Sequence, residues 1–139
     1  MAVVYYLEAN KKMAGNMQKT KRRLMRESTV MKIHYITGVA ALFTVAVHIL
    51  MRLIMPFSMS LEYENVVANY QNFFYALLLE SILVLISIHG LNGLRIMLLE
   101  LRQNAKWEKF VTLFTLAAML AVIGYGTRTI IIVNGLSLG

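Results

Sequence analysis

Two histidines, His48 and His89, fall inside long apolar runs of this 139-residue chain. The second lies in Ser87-Ile88-His89-Gly90-Leu91-Asn92-Gly93-Leu94-Arg95, with two glycines close by and an arginine six residues on. Buried imidazole is a ready metal ligand, and glycine lets a flat cofactor approach a helix backbone. Ionisable side chains inside a membrane are costly, so by default they suggest a function. A lone intramembrane histidine can also be a hydrogen-bonded packing residue or a proton relay. The chain has no cysteine, which excludes a disulfide framework, a thiolate metal site and iron–sulfur ligation by this chain.

The elements that must position these residues are membrane helices. Hydrophobic residues make up 58% of the chain, with a single proline and a mean hydropathy of +0.61, a composition of bilayer-embedded rather than soluble proteins. The spans are expected at about 33–55, 73–99 and 110–133, each long enough for a hydrocarbon core of ~30 Å. Pro56 should end the first, because proline lacks an amide hydrogen and restricts its predecessor. Residues 57–72 read as a polar connector carrying Glu62 and Glu64. The reading is therefore an all-α membrane protein: an arm over 1–32 and a three-helix anchor over 33–139.

Charge sets the expected orientation. Eight of the fourteen Lys and Arg precede residue 33, and Arg102, Lys106 and Lys109 follow the second span, with Trp107 at the interface. With three spans both basic segments share one side, so the N-terminus is expected in the cytoplasm and the C-terminus outside. The net charge of +7 is accounted for by this topology and implies no nucleic-acid partner. In the arm the short apolar patch Val3–Leu7 comes before the charges, the reverse of a secretory signal, so no cleaved leader is read. The arm is either a surface helix touching headgroups or a soluble partner, or a solvated tail.

Depth separates the two histidines. With the inner face near His34 and Arg95, helical rise puts His48 roughly 21 Å in and His89 about 9 Å in, an offset of ~12 Å. Two axial ligands of one haem need nearly one height, so two stacked haems, each completed by another chain, suit this spacing better. Gly38, Ala41, Thr44, Val45, His48 and Arg52 share one face of the first helix. That face suits a porphyrin edge, with a propionate at Arg52 and Thr44 as an orienting partner of the ring. Gly93 lies one turn after His89. On the third span Ala117, Ala121, Gly124 and Arg128 form a small stripe, the usual mark of close helix packing, ending in a cation. His34, beside Lys32, is placed for a headgroup, a propionate or a quinone rather than for ligation. Glu80 faces away from His89 and is either paired with an arginine of another helix or part of a proton path.

The run from His89 to Arg95, followed by Glu100, resembles the second transmembrane segment of cytochrome b membrane-anchor subunits of succinate dehydrogenase and fumarate reductase. Lys32-Ile33-His34-Tyr35-Ile36-Thr37-Gly38, with His48 beyond it, is similar to the first span of the dihaem members. The resemblance covers roughly residues 30–105. It implies that His89 and His48 are iron ligands of two haems b, and that Gly93 packs near the inner one. With Gly38, His34, Arg52, Arg95 and Arg128 they form the expected cofactor-binding set, with no catalytic residue. Single-haem relatives carry an arginine after the first-span histidine and a serine three before it, at an inner quinone site. Here those positions are Tyr35 and Met31, so that site does not carry over.

Dihaem relatives with one anchor protein have five spans and four ligands, so this chain resembles one of two anchor subunits. The partners implied are a second anchor, an iron–sulfur subunit, a flavoprotein subunit and the lipid of the inner (cytoplasmic) membrane, with quinone as substrate. The chain would be a non-catalytic, haem-binding, multi-pass subunit of a succinate:quinone oxidoreductase. Its rivals are a single-haem anchor ligating through His89 alone, and a redox-inert scaffold or small transporter subunit.

Overall fold

Two asparagines cut the apolar two-thirds of the chain into helices. Asn72 closes one helix with its own N–H, which donates to the Ala68 and Asn69 carbonyls, and opens the next by accepting from the Phe74 and Tyr75 amides at 3.0 and 3.2 Å. Asn104 opens the last helix in the same way, accepting from the Lys106 amide at 3.0 Å. A short side-chain amide at these points satisfies amides that a helix start leaves without partners. In the computed structural model, residues 1–54, 61–102 and 104–135 are described. They form α1 (Ala2–Ile54), α2 (Tyr63–Gln71), α3 (Phe73–Leu101) and α4 (Ala105–Asn134), with no strand among them.

The chain divides into two units, Met1–Ile33 and His34–Gly139. In the first, the segment expected as a surface helix or a tail is helical from Ala2 onward. Among its described side chains all but Val30 are exposed, Tyr5, Tyr6, Met13 and Met17 included.

The second unit holds the packed helices. Helices over Glu27–Ile54, Phe73–Leu101 and Ala105–Asn134 are long and apolar enough to cross a membrane. The protein is thus all-helical with three transmembrane helices, as the apolar runs require. Met55 and the Pro56 stop lie outside the described residues. The polar connector carries α2 from Tyr63, which buries Val67. Asn134 at the end of α4 donates to the Tyr70 carbonyl of α2 at 2.6 Å, so this short helix closes over the ends of α3 and α4.

Cross-helix contacts fix the register. Glu80 meets Thr127, Leu83 lies where Gly126 leaves room, Arg95 meets Thr112, and Trp107 Nε1 donates to the Leu98 carbonyl at 2.8 Å. Positions rise on α4 as they fall on α3, so the pair is antiparallel, as the short connection demands. The Trp107 bond also satisfies a carbonyl of the last α3 turn, which has no partner within its own helix. The α1–α3 contacts run the same way: His34 and Gly38 lie at Gly93 and His89, and His48 lies at Tyr75.

The interior is small and partly polar. Ala41, Tyr75 and Val111 are buried, together with Thr37, Ser87 and Thr115. Thr37 and Thr115 donate to carbonyls of their own helices, to His34 at 3.1 Å and to Val111 at 2.8 Å. Hydroxyls turned back on the helix are tolerated where no water can take the bond. Val39, Leu42, Phe43 and Leu53 on α1, with Leu113 and Leu120 on α4, stay largely exposed. That outward apolar surface is what a lipid-facing or partner-facing bundle presents.

Candidate functional site

The first candidate site is built by a repeat of one pattern on two helices. His34 precedes Gly38 by four residues on α1, and His89 precedes Gly93 by four on α3. Residues four apart share a helix face. With the helices antiparallel, each imidazole lies where the other helix has its glycine. A Cβ at Gly38 would stand 2.7 Å from Cε1 and 2.9 Å from Nδ1 of His89, and one at Gly93 would stand 3.2 Å from Cε1 of His34. The two glycines therefore make room for the two imidazoles.

The two rings stack, with centroids 4.1 Å apart and planes within 11°. Nδ1 of His89 lies 2.9 Å from the His34 carbonyl oxygen. A carbonyl only accepts, so this nitrogen is the donor and carries the ring proton. In a neutral imidazole Nε2 then holds the free lone pair, and a hydrogen bond from the other nitrogen is the arrangement that orients metal-ligating histidines. Nδ1 of His34 is buried without a hydrogen-bond partner among the described residues. Face-to-face stacking also means that His34 and His89 do not oppose each other across one metal, since trans imidazoles direct their nitrogens toward each other along the ring planes.

The second candidate site centres on His48, whose ring lies 5.7 Å from that of the buried Tyr75, tilted by 41°. Its Nδ1 is buried with no hydrogen-bond partner among the described residues. The face Gly38, Ala41, Thr44, Val45, His48 and Arg52 is buried or half-buried throughout, as its spacing anticipates. Thr44 shares its hydroxyl proton between the Ala40 and Ala41 carbonyls, both at 3.1 Å. His34 is level with His89 and His48 with Tyr75. Fourteen residues separate the two levels on each helix, so the histidines lie ~21 Å apart along the bundle. The sequence-based offset of ~12 Å was too small because it took Arg95, not His89, to be level with His34.

The charged residues separate by neighbourhood. Arg95 donates from Nε to Thr112 at 3.1 Å, which holds its guanidinium at the His89 end of the bundle. Arg52 is half-buried one turn beyond His48. Arg128, with Ala117, Ala121 and Gly124, is exposed, and a Cβ at Gly124 would meet nothing within 4 Å. Among the described residues the small stripe thus packs on no other helix, and α4 turns Val111, Thr115, Gly126 and Thr127 inward instead.

Glu80 accepts from the Thr127 hydroxyl at 2.6 Å, while its Oε2 is buried without a hydrogen-bond partner among the described residues. Its partner is a hydroxyl, not the arginine that pairing would suggest. Thr127→Val is expected to lower stability by about 1–3 kcal/mol, because it strands a buried carboxyl. Glu80→Met added to it should recover most of that loss, since removing both polar groups is far cheaper than orphaning one. Thermal unfolding of the two variants in detergent checks this. A double variant no more stable than the single one would contradict it.

Nothing in spacing alone paired His34 with His89, Tyr75 with His48, or Thr127 with Glu80. The four-residue His–Gly repeat was the one available signal for the first of these.

A three-span membrane subunit with its imidazoles set in the seams between helices is the class that fold and site define. The chain belongs to the succinate dehydrogenase/fumarate reductase transmembrane subunit family, whose sequence model matches residues 14–122. That match takes in both histidine sites and reaches into α4, further than the motifs around His34 and His89 extend. No curated protein and no solved structure gives a significant match. Membership makes the protein a membrane subunit of a multi-subunit complex, so partner subunits are implied.

Proposed function

We propose that this chain is the haem b-binding anchor of a succinate:quinone oxidoreductase in the cytoplasmic membrane. His89 ligates the inner haem through Nε2 and His48 the outer one, and a second anchor subunit supplies the opposite ligands. The observation that supports this reading is the hydrogen bond from His89 Nδ1 to the His34 carbonyl, which orients the ring and leaves the Nε2 lone pair available for ligation. The haem, when bound, supplies one-electron transfer toward quinone from the iron–sulfur subunit.

This chain's residues hold the rings, exclude water with the packed seam and place cations. Arg95 at the inner end and Arg52 at the outer end are the groups placed to balance propionate or quinone charge. Arg128, exposed on α4, would do so only for a group held by a neighbouring chain. Gly93 and His34 complete the inner pocket, and the flavoprotein subunit, not this chain, handles succinate.

A second reading, one haem at His89 alone, is favoured by His48, whose Nδ1 lacks the supporting bond that His89 has. Haem quantification and an optical spectrum of the purified complex decide between them. Two haems per anchor pair support the first reading and one the second. None would leave a redox-inert scaffold.

The proposed orientation places the N-terminus in the cytoplasm, on the strength of the basic segments flanking the spans. Tyr63→Cys and Lys106→Cys, both at exposed positions, should react with impermeant reagents from opposite sides, Tyr63→Cys from outside. Labelling of both from one side would overturn the orientation.

A further inference from the structure

The His89 ring is held at two places by α1, its face against His34 and its Cε1–Nδ1 edge against Gly38. The two constraints come from one helical turn, because the His34 carbonyl that takes the Nδ1 bond lies four residues before Gly38. A Cβ at position 38 would fall 2.7 Å from Cε1 and 2.9 Å from Nδ1, both atoms of a rigid ring rather than the end of a flexible chain. The ring could not keep its place by small adjustment. It would have to rotate or the helices separate, and either movement breaks the bond that fixes the proton on Nδ1.

We propose that Gly38 is the positioning residue of the inner site: its missing side chain lets the His89 imidazole lie edge-on against α1, donating from Nδ1 to the His34 carbonyl and leaving Nε2 free to coordinate. The inference rests on the haem-binding reading for its redox consequence, but the tautomer it concerns belongs to the protein alone. Gly90 and Gly93 provide graded comparisons on α3. A Cβ at Gly90 would meet nothing within 4 Å, and one at Gly93 would meet only His34, at 3.2 Å.

Two measurements test the proposal. In the full-length chain, labelled with 15N-histidine and reconstituted in nanodiscs without haem, His89 should show a protonated Nδ1 and an unprotonated Nε2. Gly38→Ala should abolish that signature, and Gly90→Ala should preserve it. In the assembled complex, Gly38→Ala should change the EPR anisotropy of the low-spin inner haem and its midpoint potential, both of which respond to imidazole rotation. Gly93→Ala should have a smaller effect.

Retention of the Nδ1-protonated form in Gly38→Ala overturns the proposal whether or not haem is bound. An unaltered EPR spectrum and potential in an assembled Gly38→Ala complex overturns it as well. Should the wild-type complex contain no haem, the functional reading fails while the tautomer measurement still decides the role of Gly38. Should Gly38→Ala fail to assemble, the nanodisc measurement on the chain alone decides.

Discussion

His89→Ala should remove the inner haem from the assembled complex, with occupancy falling by more than the roughly 10–100-fold that loss of a supporting group costs a metal site. Two effects act together. The coordinating nitrogen is gone, and a void opens between Gly38 and the face of His34, where the ring had been packed. The variant is also expected to lose stability, as large-to-small substitutions at packed sites do. Free imidazole fits that void and supplies the missing nitrogen, so added imidazole should restore the inner-haem spectrum without changing the chain. Recovery of the low-spin spectrum with imidazole identifies His89 as a ligand. Full haem occupancy in the variant without imidazole would remove it from the site.

The second large effect is expected from His48→Ala, and it should be separable from the first. The histidines are ~21 Å apart along the bundle by helical rise, and substitutions at such a distance without shared partners act independently. His48→Ala should therefore delete the outer haem component and leave the inner one at its wild-type potential and line shape. Loss of the His48–Tyr75 ring pair adds a stability cost of about 0.5–1.5 kcal/mol, from the usual worth of such pairs. Spectra of both variants, recorded on complexes with matched subunit content, check the expectation. Loss of one common component in both variants would mean a shared haem, and an unchanged spectrum in His48→Ala would leave His89 as the only ligand of this chain.

Several features were readable before any helix was packed. Three spans followed from apolar runs bounded by charge, because a bilayer requires about 20 apolar residues per crossing whatever the neighbours are. The inward face of α1 from Gly38 to Arg52 followed from spacing alone, because helical periodicity depends only on the chain itself. The His89–Arg95 run was enough to suggest the family. Even the end of α2 at Asn72 and the starts of α3 and α4 are local matters, since an asparagine side chain caps the turn it belongs to.

What spans share with one another was decided only by the tertiary structure. The depth of His89 relative to His34 depends on how far α3 slides along α1, and nothing within either helix sets that slide. Assuming Arg95 to be level with His34 displaced one helix by about 9 Å, six residues at 1.5 Å each. The structure resolves the register through the reciprocal fit of two rigid rings into two glycine gaps, a constraint that exists only when both helices are present. Likewise, Glu80 could be placed at a depth from sequence, but its neighbour Thr127 is 47 residues away and on another helix. The small stripe on α4 illustrates the converse. Spacing identified it correctly as one face, yet small residues permit close packing without choosing a partner, and the folded chain turns a different face of α4 toward α3.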